Sequence, residues 1–358
     1  MNKDLNSLGK KKPPRKNLIL NFIFILIAVL SVLIVVGGND DFSFSEFILF
    51  TKASMNPYLL PAFLSVLAYV FFEGAALLRI SASLGYKRSQ GKGFVYSAAD
   101  IYFSAITPSA TGGQPASAFF MIKDGIPAPV TTVALIVNLV MYTLTTLTFG
   151  LVGLLFGFEL FVQFSTLSKL LIIVGIGLQL ILIFIFLMIL KKDDLLFRLG
   201  CGIYSILQKL HLIRSADKKK EKLQKTIESY RSAVAMISGK KRVLFEAFIL
   251  NLLQRASLVL VFIFTFLATG GAPSQLGDVW CTQGMVIVGA NTIPIPGAMG
   301  VTDYLLSDGF SHLTSEATAV NFSLLARTIS FYISVLLCGL TVLFRFLQIT
   351  ISTRRKQK

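Results

Sequence analysis

The sequence predicts an all-α polytopic membrane protein: about six transmembrane helices plus two re-entrant broken-helix hairpins entering from opposite faces. Three observations carry this prediction. Of 358 residues, 54% are hydrophobic and only 15% are charged, against about a quarter charged in soluble domains. The apolar residues are collected into runs near or above the roughly 20 residues a bilayer needs. The formal net charge of +16 sits between those runs, where Lys and Arg set orientation and meet anionic lipid.

The spans are expected at 18–36, 57–80, 130–157, 170–190, 243–269 and 319–347. Lys10, Lys11, Lys12, Arg15 and Lys16 precede the first. That run is too long for a signal-peptide core and has no small-residue cleavage site after it, so it reads as a membrane anchor. The 37–56 loop, with Asp40, Asp41 and Glu46 against Lys52, belongs outside, as does the nearly uncharged 158–169 loop. Arg79, Lys87, Arg88 and Lys92 belong inside. So does segment 191–242, with 14 Lys/Arg against 5 Asp/Glu, and so does the tail with Arg354, Arg355, Lys356 and Lys358. Both termini are therefore expected in the cytoplasm, with the chain in a bacterial inner (plasma) membrane. The domains are a basic disordered tail over 1–17, a transmembrane domain over 18–350 and a basic tail over 351–358.

Within 191–242, Leu223, Ile227, Tyr230, Val234 and Ile237 recur at spacings of four and three, and Leu196, Leu199, Ile203, Ile206 and Leu210 do so upstream. These stripes predict a basic amphipathic hairpin on the inner leaflet. A dock for a cytoplasmic partner is the alternative.

Two apolar stretches are interrupted. The first, Gly93 to Gly125, is broken by Thr107-Pro-Ser-Ala-Thr111-Gly112-Gly113-Gln114-Pro115. Pro108 removes a helix hydrogen bond, and Pro115 suits the first turn of a new helix. The second, Ala272 to Ser311, is broken by Pro294-Ile-Pro296-Gly297-Ala-Met-Gly300. The topology brings the first hairpin in from the cytoplasm and the second from outside, the logic of inverted-repeat transporters. Backbone broken at membrane depth must be satisfied by protein or by a wet cavity. A half-helix N-terminus aimed at that cavity is a ready anion site. A simple kink or exterior loop is the plainer alternative for either break.

Glu73, Arg255 and Arg327 fall inside spans, and Asp100 and Asp303 fall in the broken hairpins. Each such charge costs about 2.5–3.5 kcal/mol near the bilayer centre on insertion scales, so all five must line a polar interior or pair. Guanidinium forks suit phosphate, which makes Arg327 first and Arg255 second the expected headgroup ligands. Glu73, Asp100 and Asp303 are expected to hold an amine or to neutralise the arginines. For Asp303 the helix dipole alone is a sufficient reason. For Glu73 a static pair with Arg79 or with an arginine of another span is the alternative.

Thr107-Pro-Ser-Ala-Thr-Gly-Gly-Gln-Pro115, followed by Pro294-Ile-Pro-Gly-Ala-Met-Gly-Val-Thr-Asp303, resembles the lysylphosphatidylglycerol synthase transmembrane family, the flippase-like domain of MprF-type proteins. The resemblance covers roughly 18–350. It implies movement of aminoacylated phosphatidylglycerol, or of another anionic or polyprenyl-linked lipid, between leaflets. It also implies site residues in both motifs: Thr107, Thr111, Gly112, Gly113, Gln114, Pro296, Gly297 and Gly300. The second motif departs from the family form Pro-Gly-Gly-x-Gly-x-x-Glu at Ala298 and at Asp303, where the carboxylate is kept but shortened. With Lys358 soon after the last span, the soluble lysyltransferase domain of bifunctional members is not expected.

The leading expectation is therefore a lipid translocator. There is no phosphate-binding loop of an ATP motor, so movement is expected to be downhill or ion-coupled, with the carboxylates as candidate proton carriers. The alternatives are a membrane component of lysylphosphatidylglycerol synthesis and a partner subunit of a lipid-linked glycosyltransferase. No nucleophile with a matched base supports an enzyme. Cys201, Cys281, Cys338, His211 and His312 have no ligand spacing, so neither metal nor other cofactor is expected. The expected partners are an anionic or aminoacylated phospholipid, a separate cytoplasmic synthase or glycosyltransferase, and a second copy of the chain, but not nucleic acid.

Overall fold

Five of the six expected spans lie among residues 44–107, 110–191, 232, 234–237, 239–290, 296–298 and 300–355, which the computed structural model describes. The expected span 18–36, the tail 1–17 and most of the 191–242 segment lie outside the described residues. The chain divides into Met1–Ser43 and Phe44–Lys358, and the account below concerns the second unit.

All its described elements are helical. They are α1 (Phe44–Ala53), α2 (Leu59–Ser83), α3 (Gln90–Ile106), α4 (Gly113–Lys123), α5 (Ala128–Phe156), α6 (Phe158–Gln163) and α7 (Thr166–Lys191), then α8 (Lys241–Ala268), α9 (Leu276–Ala290), α10 (Val301–Ser311), α11 (Glu316–Arg327) and α12 (Ser334–Arg355). Five helical stretches are long and apolar enough to cross a membrane: Leu59–Ser83, Ala128–Phe156, Thr166–Met188, Lys241–Ala268 and Ala317–Ile349. The chain is thus an all-α, multi-pass membrane protein. Many large apolar side chains point outward, among them Leu170, Ile173, Leu180, Ile181 and Phe184 on α7. An apolar surface of that extent needs hydrocarbon around it.

Three expectations need correction. The 37–56 segment, read as a loop, carries α1, because Phe44, Phe47, Ile48 and Phe50 recur at helical spacing beneath its acidic start. The 158–169 loop carries the short α6. The last span is not one plain helix. It passes through a π-helical turn, Thr328–Ile333, directly after Arg327.

Both broken hairpins form. α3 and α4 pack against each other across the first break, and α9 packs against α10 across the second. Their bases lie at opposite ends of the bundle. At the first base Asp124 accepts from Arg345 of α12 at 2.7 Å and Lys92 lies 3.3 Å away. At the same end Arg79 of α2 pairs with Glu246 of α8, and Lys240 donates to the Ser83 carbonyl. At the other end Asn56 donates to the Ala268 carbonyl (2.8 Å), Gln275 to the Leu313 carbonyl (3.2 Å) and the Ser165 amide to Asp308 (3.0 Å).

The order span, hairpin, span thus occurs twice, as α2–α3/α4–α5 and, running the opposite way, as α8–α9/α10–α11/α12. α2 packs on α8, while α3 leans on α12 and α9 leans on α5. This exchange is what an inverted repeat produces. Small residues allow the close approach between α5 and α9. A Cβ at Gly284 would stand 2.6 Å from the Phe149 carbonyl oxygen, and one at Gly153 would stand 2.6 Å from that of Cys281. Such contacts hold helices together where water supplies no drive.

Candidate functional site

Four helices each turn a polar stripe inward. On α8, Asn251, Gln254 and Arg255 stand at positions i, i+3 and i+4, one face of a helix. Asn138 and Tyr142 are one turn apart on α5, Tyr69 and Glu73 one turn apart on α2, and Ser97, Asp100 and Ser104 share a face of α3. The stripes meet. Asn251 donates to Asn138 at 3.0 Å, Gln254 donates to Glu73 at 3.1 Å, and the Arg255 guanidinium lies over the Tyr142 ring at 3.9 Å. Glu73 of α2 and Asp100 of α3 face each other where these two helices pack.

Asp100 also ties the first break to this interior. It accepts from Ser104 at 3.1 Å and from Gln114, in the first turn of α4, at 2.7 Å. Gly113 lets α4 start this close, since a Cβ there would stand 2.0 Å from both Asp100 Oδ1 and Ser104 Oγ. Thr107 shapes the turn: its hydroxyl donates to the Phe103 carbonyl (2.7 Å) and accepts from the Gly112 amide (2.8 Å). Ala110 is held at φ 54°, and Thr111 is exposed.

The second break has its own lock. Arg327 donates from Nη2 to the Gly297 carbonyl at 2.8 Å, and its Nε lies 3.1 Å from Asp303 Oδ1. Asp303 in turn accepts from the Gly300 amide at 2.9 Å, capping α10. The guanidinium lies 4.6 Å from the centre of the Phe331 ring, in the π turn. Gly297 (φ +61°) sits on that ring, and a Cβ there would approach Phe331 Cζ to 2.4 Å. Pro296 starts the short 3-10 turn Pro296–Ala298, which packs against α3 of the other hairpin.

Of the thirteen sequence-predicted residues, eleven separate into two clusters, while Thr111 is exposed at the first break and Pro296 opens the turn of the second. Glu73, Asp100, Gly113, Gln114 and Arg255 meet in one, with Thr107 and Gly112 shaping its turn. Arg327, Asp303, Gly297 and Gly300 form the other. Each half-helix start has an aspartate of the protein beside it, Asp100 at α4 and Asp303 at α10. The alternative static pair of Glu73 with Arg79 does not form, because Arg79 pairs with Glu246 at the end of the bundle.

The two arginines differ. Arg327 has an ion pair with Asp303 and donates from Nη2 to Gly297, although its Nε makes no hydrogen bond. Arg255 is 4% exposed, and its Nε and Nη2 have no hydrogen-bond partner. Gln254, Ser97, Ser104, Asn138, Tyr142 and Phe331 complete the clusters and were not among the expected residues. The i, i+3, i+4 spacing of Asn251, Gln254 and Arg255 in an apolar span was the signal that could have found the α8 face. A cavity of about 320 Å³ lies away from these charges, between α1 and the end of α8, lined among others by Phe50, Ser54, Asn56 and Thr269. It has no charged wall, and Ser54 and Asn56 spend their donors on backbone carbonyls, so it is not the candidate site.

The profile of the family described as "Lysylphosphatidylglycerol synthase TM region" matches residues 19–338. A UPF0104 membrane protein of Pyrococcus horikoshii is 32% identical over 130 residues, which is 36% of this chain and 38% of that relative. The match thus spans well under half the length of that relative. No solved structure matches the chain.

Proposed function

Because the chain belongs to the lysylphosphatidylglycerol synthase transmembrane family and has a membrane-lipid role, we propose that it moves a phospholipid of the phosphatidylglycerol type, aminoacylated or not, between leaflets of a bacterial plasma membrane. One observation carries this reading: a buried guanidinium with two unused donors, Arg255, in a polar interior bounded by a broken hairpin. A buried donor left unpaired costs roughly 1–3 kcal/mol, more when charged. A phosphate oxygen placed there recovers that cost, and a guanidinium fork suits it. The headgroup would cross in this interior while its acyl chains stay in hydrocarbon.

Arg327 acts differently. By holding Gly297 and Asp303 it keeps the second hairpin seated, and its release would let the tip move. Since Arg255 is enclosed in the present arrangement, a hairpin must shift to admit a headgroup. The π turn and the left-handed residues at both breaks are the bistable elements such a shift needs.

The test is translocation of labelled phosphatidylglycerol and lysylphosphatidylglycerol from the inner leaflet of liposomes, read by an outside quencher. Wild type should expose label. Arg255→Ala should slow exposure by roughly 10-fold or more, the value of one charge-assisted hydrogen bond. Arg255→Lys should recover only part, because an ammonium does not fork. Wild-type rates in Arg255→Ala would remove Arg255 from the path.

A further inference from the structure

The first cluster places two carboxyls against one cation. Glu73 is 5% exposed and Asp100 7% exposed, and the two carboxyls face each other where α2 packs on α3. The groups facing them are Tyr69 of α2, Ser97 and Ser104 of α3, Gln114 of α4, Tyr142 of α5, Gln254 and Arg255 of α8, and Cys338 of α12. Only Arg255 among them carries a positive charge. It makes no ion pair with either carboxyl, and its Nε and Nη2 are free, as is the fully buried Oε1 of Gln254. Two carboxylates this close in a water-poor site do not both ionise unless a cation turns onto them.

We propose that Glu73 and Asp100 form a single exchangeable proton site that competes with the lipid phosphate for Arg255, so that lipid movement is coupled to protons. The proposal rests on the translocation reading above. With the proton bound, the pair carries one negative charge and leaves the free Arg255 donors to a headgroup phosphate. When the proton leaves to water, the pair carries two. Arg255 then turns to the carboxylates and the phosphate is released. Proton and phosphate therefore bind together, and by linkage each raises the affinity for the other. Asp100 also holds Gln114 and abuts Gly113, so its charge state reaches the first break directly.

Two measurements on the full chain in liposomes test this separately from the lipid reading. The first is infrared detection of a protonated carboxyl at neutral pH. The band should be present in wild type, should titrate away at alkaline pH, and should be lost in both Glu73→Gln and Asp100→Asn. Its absence from wild type, or its survival in both variants, overturns the proton site. The second is the leaflet ratio of labelled phosphatidylglycerol under an imposed pH gradient. One coupled proton predicts about a ten-fold change in that ratio per pH unit, abolished in Glu73→Gln. Wild-type movement indifferent to the gradient overturns the coupling. No movement of lipid by wild type, with the band present, leaves the proton site standing and defeats the translocation reading instead.

Discussion

Arg327 pairs with Asp303 and donates to the Gly297 carbonyl, and that makes it an exacting residue to remove. Arg327→Ala would leave Asp303, with its side chain 11% exposed, without its cation. Breaking such a pair from one side costs about 3–5 kcal/mol. We expect the variant to insert normally, to lose translocation and to unfold earlier in detergent. Asp303→Asn added to it should recover part of the stability, because the stranded charge is gone. If the double variant is no more stable than the single one, the pair is not the source of the loss. At Gly113 the physics is steric. Gly113→Ala puts a methyl 2.0 Å from Asp100 Oδ1, so α4 must back away and give up the Gln114 bond. A lower midpoint in thermal unfolding is expected, together with slowed lipid movement.

At the scale of elements the two hairpins are built alike. Each break holds an alanine in the left-handed region, Ala110 at φ 54° and Ala298 at φ 50°. Each lies three residues before the new helix starts, at Gly113 and at Val301, with Gly112 and Gly300 as the N-caps. Left-handed backbone costs an L-residue about 1–2 kcal/mol. Ala110 is exposed, so its substitution probes that strain with little packing at stake. Ala110→Gly should hold or raise the unfolding midpoint, and Ala110→Val should lower it clearly. The reverse order would mean the turn is not left-handed in the membrane. The breaks themselves were legible, since Pro108 and the neighbouring glycines forbid a continuous helix. Their seating was not. That Gly297 rests on Phe331 and that Asp100 reaches Gln114 depend on helices brought together in three dimensions.

For the whole molecule, the two ends of the bundle differ in charge. Arg79, Arg88, Lys92, Lys240, Arg242 and Arg345 gather at one end, around Glu246 and Asp124. The other end, near Asn56, Ala268 and Leu313, has no such cluster among the described residues. The positive end is expected in the cytoplasm. On a background without Cys201, Cys281 and Cys338, an impermeant maleimide added to intact cells should label Asn56→Cys and spare Lys123→Cys. The opposite pattern would invert the topology.

The five described spans follow from length and hydropathy alone, because the bilayer imposes the same 30 Å requirement wherever the chain crosses. Charge in the loops dictates an expected orientation for the same reason, acting one segment at a time. Local chemistry likewise exposes the breaks, through proline and glycine. Which buried charges meet is a different kind of fact. Arg79 and Arg255 both looked like partners for Glu73, yet Arg79 lies at the rim on Glu246 and Arg255 stands over Tyr142. Arg327 was expected first and Arg255 second as phosphate ligands, yet Arg327 is held by Asp303 and Gly297 while Arg255 has no ion pair and keeps two donors free. Those outcomes depend on helix rotation and on the depth at which α2, α3, α5 and α8 pack. Small residues such as Gly74, Gly93, Gly153 and Gly284 set that packing, and only the tertiary structure reports it, because a single chain's periodicity says which face turns inward but not what it will find there.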